Sequence, residues 1–182
     1  AYTKAKRRSR RARPNISLEN KLDMGIKKAD FLQTSISLRK SIHQYPEIGF
    51  EEFQTREKIM KILLLFGVQA GQMTKLEPTA LVVNLRGRAA PSGSPRCVAF
   101  RADMDALTMN ENNPELDYRS QVQGKAHMCG HDGHVACLVA FVPRFLDLID
   151  RVPSDKVVRL LFQPSEEGPE SGAKKMIEQG CL

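Results

Sequence analysis

The sequence predicts an α/β domain with three layers, helix on sheet on helix, built around a mostly parallel sheet. Three observations carry that prediction. Short apolar, partly β-branched runs recur at residues 80–85, 97–100 and 157–162. Segments with apolar residues three and four apart alternate with them. Stretches rich in glycine, proline and serine separate the two kinds. Such alternation places helices over both faces of a sheet whose strands run the same way.

Taken in order, Asp30 can cap a helix from Phe31 to about Ile42, with Leu32/Ile36 and Leu38/Ile42 at helical spacing. A second helix is expected from about Glu51 to Phe66, stopped by Gly67, with its Ile62–Phe66 end in the core. Ala80–Leu85 reads as a strand, Ala89–Pro95 as a loop and Cys97–Phe100 as a second strand. His134–Ile149 is an almost continuous apolar helix pattern interrupted by Pro143, which would cost about 3 kcal/mol or kink the helix. Val157–Phe162 reads as a buried strand ended by Pro164, and a last helix is expected over Ser171–Gln179.

The 182 residues bound one domain, or a domain with a tail, large enough for a real core. Four cysteines in a chain of this length do not make a disulfide scaffold, and Cys97 and Cys137, lying in apolar runs, are expected as small core residues. No run of eighteen apolar residues is present, which excludes a transmembrane helix. Charge is unevenly placed. Lys4, Lys6, Arg7, Arg8, Arg10, Arg11 and Arg13 precede the first acid, Glu19; without these seven, the remaining 21 bases balance 21 acids. Residues 1–18 are therefore expected as a basic, disordered tail and residues 19–182 as the folded portion. The tail suits a transit remnant, a nuclear signal or an arm for an anionic partner such as nucleic acid, and equally a solvated extension. The compartment stays open, with cytoplasm and mitochondrion the expected ones.

Three polar clusters carry chemistry. His127-Met128-Cys129-Gly130-His131-Asp132-Gly133-His134 packs three of the four histidines, a cysteine and an aspartate into eight residues. Imidazole, thiolate and carboxylate are the ligand types that hold zinc and its first-row neighbours. Glu166-Glu167 follows the strand at 157–162, where α/β sheets collect their active sites. Adjacent carboxylates suit a division of labour, one binding metal and one moving protons. Asp103 and Asp105 follow the strand at 97–100 and project to one side if the chain stays extended, so that one of them can orient a ligand histidine or touch metal directly. Three strand ends bearing ligand-type side chains are most economically one site.

With these segments the chain resembles the metal-dependent amidohydrolase and peptidase family of aminoacylases, hippurate hydrolase, N-acetyl-diaminopimelate deacetylase and the auxin-conjugate hydrolases. The matching stretches are His43-Gln44-Tyr45-Pro46-Glu47-Ile48-Gly49-Phe50-Glu51-Glu52, Arg101–Leu107, His127–His134 and Phe162–Glu167, in the family's order. The resemblance implies the N-terminal part of a zinc-peptidase-like catalytic domain, truncated before its lid or dimerisation domain. It implies Cys129, His131 and Glu167 as metal ligands, Glu166 as the general base that serves water and leaving amine, and Asp105 as the carboxylate steadying the site. Two divalent ions per complete site (zinc, manganese or cobalt), a small N-acyl amino acid or conjugate as substrate, and a homodimer of the full-length form follow from it too. Asp132 and His134 match positions that shape the loop, and His43 is open between a structural and a site-facing contact. Thr108 replaces a usual proline, and Met128 and Ser165 replace usual alanines; no ligand is lost thereby. The family draws further histidine ligands from beyond the region matching Leu182, and no histidine follows His134 here. The expected function is thus hydrolysis of an N-acyl amide, complete only with sequence beyond this chain and with this chain alone expected to be inactive. The other reading is a shortened homologue acting as a structural or assembly subunit, docked by its basic tail.

Overall fold

The computed structural model describes residues 28–182. The basic tail expected over residues 1–18 lies outside the described residues. Along the chain run α1 (Lys28–Gln44), α2 (Phe53–Leu65), β1 (Met73–Leu76), β2 (Ala80–Arg86), β3 (Arg96–Asp103), α3 (His131–Leu148), β4 (Lys156–Gln163) and α4 (Gly172–Glu178). The strands form one sheet in the order β1-β2-β4-β3.

The α/β class holds, but the sheet is mixed rather than mostly parallel. Only β3 and β4 run parallel, whereas β1–β2 and β2–β4 are antiparallel. Connection lengths explain this, because a parallel pair needs a crossover of a dozen or more residues. The crossover from β3 to β4 contains α3. Only residues 77–79 separate β1 from β2, and only the helix-free loop 87–95 separates β2 from β3.

Most of the core lies on one face of the sheet. Leu81, Val83, Leu85, Leu160 and Phe162 meet Leu38 and Ile42 of α1, Ile59 and Leu63 of α2, and Val135, Val139 and Val142 of α3. Each such side chain contributes about 1.5–3 kcal/mol on burial. The opposite face carries a smaller cluster, Ala80 and Val82 against Met176 and Cys181. The third layer is therefore thin, since the seven-residue α4 supplies its helix.

Helix ends follow the local chemistry. Asp30 lies inside the first turn of α1 instead of capping it, where a negative charge still favours the helix N-terminus. Leu38 and Ile42 are buried but Leu32 and Ile36 face solvent, so only one of the two spaced pairs is core. Beyond α2, Gly67 adopts φ +97°. Its N–H donates to Leu64 O, while Val68 N–H donates to Leu63 O, closing the helix with a left-handed turn. Ile62 is only partly buried, and Leu64 and Leu65 point outward. Helix α3 continues through Pro143, which is itself buried along with Val139, Val142 and Phe145. That packing offsets the missing N–H.

Burial departs from the apolar runs at three places. Cys97 and Cys137 are exposed and Cys181 is the buried cysteine. β3 is an edge strand whose first six residues are exposed, so its apolar run is not core. The first four residues of β4 are only half-buried. No helix among the described residues is long and apolar enough to cross a membrane.

Candidate metal centre

β3 and β4 run side by side and end in register, Asp103 opposite Gln163. Met104 N–H donates to Gln163 O at 2.8 Å, so Asp105 and the Glu166–Glu167 turn leave the same edge together. The histidine cluster is not at a strand end, contrary to expectation. Gly130, at φ +95°, turns the incoming loop and His131 becomes the first residue of α3. The helix N-terminus thus meets two strand ends.

The geometry brings Cys129, His131 and Glu167 together. One ligand atom from each lies within 4.8 Å of the others. His131 Nε2 stands 3.9 Å from Glu167 Oε1 and 3.8 Å from Glu166 Oε2. Its other nitrogen, Nδ1, donates to Asp105 O at 2.9 Å and lies 3.2 Å from Asp105 Oδ1. A carbonyl only accepts, so Nδ1 carries the hydrogen and Nε2 is the nitrogen turned toward the carboxylates. Asp105 Oδ2 accepts the backbone N–H of Glu167 at 2.9 Å. One buried carboxylate therefore orients both the imidazole and the Glu167 segment, the support a ligand histidine ordinarily needs. Divalent metal suits this set, since a soft thiolate, an oriented imidazole and a carboxylate converge on one point.

Electrostatics favour the protonated forms of the two candidate ligands His131 and Cys129. The hydrogen bond with the Asp105 carboxylate, opposed by burial, pushes His131 up to about 9. The hydrogen bond to the Glu167 carboxylate, with burial adding to it, pushes the Cys129 thiol up to about 11. Burial alone would raise Asp105, but its hydrogen bonds from His131 and from the Glu167 and Glu166 backbone hold it below the ordinary range. Metal binding must displace the protons on both ligands. At pH 7 we expect close to two protons released per ion, read by titration calorimetry in buffers of different ionisation enthalpy. Release of well under one proton would refute the ligand pair. Because the folded pKa of His131 is raised, its stabilising contribution is complete below about 6.5 and is lost as pH rises through about 9. Metal-free protein should accordingly lose stability across that window.

A second donor set lies on the other side of His131. Asp103, His131 and His134 also bring one atom each within 4.8 Å. Asp103 is buried, its Oδ2 accepting from Arg101 Nη2 at 3.0 Å and its Oδ1 without a partner among the described residues. His134 therefore stands among candidate donors, beside its place in the loop-to-helix junction. The three-residue step from His131 to His134 on a helix was the available signal.

His43 belongs to the structural side of its two readings. Buried, it spans Asp132 Oδ2 at 3.0 Å and Glu111 Oε1 at 3.2 Å. Asp132 also accepts from Arg39 Nε at 3.1 Å, so it ties α3 to α1. His127 is buried, and burial pushes it down to about 4.

Residues 99–182 match the model of peptidase family M20/M25/M40. Thermostable carboxypeptidase 1 of Saccharolobus solfataricus is 40% identical over 148 residues, 81% of this chain and 36% of that protein. IAA-amino acid hydrolase ILR1-like 2 of Arabidopsis thaliana is 37% identical over 173 residues, 94% of this chain and 36% of that protein. The crystal structure of the Bacillus subtilis YXEP protein, described as a dinuclear metal binding peptidase from the M20 family, matches with a TM-score of 0.74. It is 30% identical, over 86% of this chain and 41% of that one. The chain spans just over a third of the length of these curated relatives.

Proposed function

We propose that the protein, whose residues 99–182 match the model of peptidase family M20/M25/M40, is a metal-dependent hydrolase of N-acyl amides, acting on N-acyl amino acids or amino-acid conjugates. The observation that carries this is the convergence of Cys129, His131 and Glu167 within 4.8 Å, with Glu166 at their side. Those three residues would hold a divalent transition ion, and the thiolate favours zinc, manganese or cobalt over magnesium or calcium. Such an ion, when bound, supplies Lewis acidity and makes water acidic enough to be a nucleophile near neutrality.

The chain's own side chains do the rest. Glu166 is 39% exposed, so its carboxylate can accept a proton from the attacking water and return it to the departing nitrogen. Asp105 holds His131 and the Glu167 backbone in place throughout. Beside Glu167 opens a hollow of ≈ 460 Å³, lined in part by Ile48, Phe50 and Leu107. Its size and apolar walls suit the acyl group of a small substrate. The name of the Arabidopsis relative, an amino-acid conjugate hydrolase, supports an amide of this class.

The test is release of amine from N-acetyl and N-benzoyl amino acids by the full-length protein, loaded in turn with zinc, manganese and cobalt. Hydrolysis is expected, with chelator abolishing it. Failure to release amine from every substrate with every metal would overturn the proposal.

A further inference from the structure

We propose that Glu52 is a positioning residue for the Glu166–Glu167 turn, fixing from beneath the carboxylates that serve the metal centre. The inference rests on the functional reading above and extends it to a residue 113 positions away from the turn it holds.

Glu52 sits just before α2, at the end of the His43–Glu52 segment, and is fully buried. A buried carboxylate is costly unless its oxygens are met, and replacing it by an apolar residue of similar volume would ordinarily be cheaper. Its oxygens are met by a hydroxyl and an amide. Thr79 Oγ1 donates to Oε2 at 2.5 Å, and the backbone N–H of Ser165 donates to Oε1 at 2.9 Å. Burial pushes the Glu52 carboxyl up, and those two hydrogen bonds oppose the push.

Ser165 is where the turn needs holding. It takes φ +45°, a left-handed conformation unfavourable for a residue with a side chain. Its hydroxyl donates to Glu170 O and its carbonyl accepts Gly172 N–H at 3.0 Å. Gly49 lies so close that a Cβ there would stand 2.6 Å from Ser165 Oγ. Two residues on, Glu167 N–H is held by Asp105. The turn is thus held from two sides, its Ser165 amide gripped by Glu52 and its Glu166 and Glu167 amides by Asp105. Nothing else among these contacts reaches the Ser165 amide, so removing the Glu52 acceptor releases one side of the clamp.

The experiment compares Glu52→Leu, Glu52→Asp and Glu52→Gln in the full-length protein, reading cobalt(II) affinity by spectroscopic titration and metal-free melting temperature. Gln keeps an acceptor for Ser165 and can donate to Thr79, so it should hold cobalt within a few-fold of wild type. Leu lacks the acceptor and Asp falls one methylene short of it. Both should bind cobalt about 10–100-fold more weakly, the scale of losing an outer-shell partner. Should Leu fail to fold, the Asp–Gln pair decides, because Asp keeps the charge and loses the reach. Wild-type cobalt affinity in the Asp variant, whatever its melting temperature, would overturn the inference while leaving the metal centre standing. Absence of cobalt binding by the wild type would overturn the functional reading, and this inference with it.

Discussion

Glu166→Gln is expected to slow amide hydrolysis by the full-length protein about 10²–10⁴-fold while leaving its metal content unchanged. Gln preserves size and hydrogen bonding but cannot take a proton from water. Glu166 and Glu167 stand about equally far from His131 Nε2, at 3.8 and 3.9 Å, but the Glu166 side chain is the more exposed, 39% against 30%. The donor set that converges on one point contains Glu167 and omits Glu166. Loss of rate without loss of metal is the signature of a proton-transfer group. Rate measurements alongside metal analysis of the same preparation check it, and a wild-type rate in the variant would remove Glu166 from the mechanism.

Cys129→Ala/Glu167→Ala should lower the metal content of the protein by removing binding at the Cys129–His131–Glu167 set. Two of the three donors of that set would be gone, a loss beyond the about 10–100-fold that an outer partner costs, while the Asp103–His131–His134 set is untouched. The fold should persist. Cys129 is exposed, and the tie from Asp105 to residue 167 runs through a backbone N–H that alanine keeps. Elemental analysis of chelator-free preparations, paired with circular dichroism, measures both. Equal metal content in variant and wild type would place the ion elsewhere.

Much of this candidate site is legible because its candidate ligands sit in short local motifs. Cys129 and His131 are two residues apart, and Glu166 and Glu167 follow a run that reads plainly as a strand. What escaped was whatever depends on distant partners. Glu52 reaches Ser165 across 113 positions and His43 reaches Glu111 across 68, and no spacing along the chain announces such contacts. The same limit applies to the fold. Ala80–Arg86 and Lys156–Gln163 show themselves by apolar runs, but Met73–Leu76 is four residues with a polar pair in the middle and becomes a strand by pairing with β2. Strand direction was misread because alternation of helix and strand says nothing about which connection holds the helix. Cys97 and Cys137 were misplaced for a related reason. An apolar run signals a strand or helix, and the neighbours present on each side decide whether its faces are covered.

β3 bears on how the polypeptide behaves in a test tube. Among the described residues its outer edge pairs with no strand and offers a row of backbone donors and acceptors, flanked by Val98 at 57% exposure and Phe100 at 44%. An exposed edge strand of this kind is a template for another strand, from whatever source reaches it first. In a concentrated solution of the 182-residue polypeptide by itself, the nearest such strand belongs to an identical molecule. Colloidal behaviour would then be governed by this rim of the sheet and by dilution, ionic strength and detergent acting on it. A charged side chain substituted for Val98, with its ammonium or carboxylate standing at the rim, is the simplest way to keep such molecules apart.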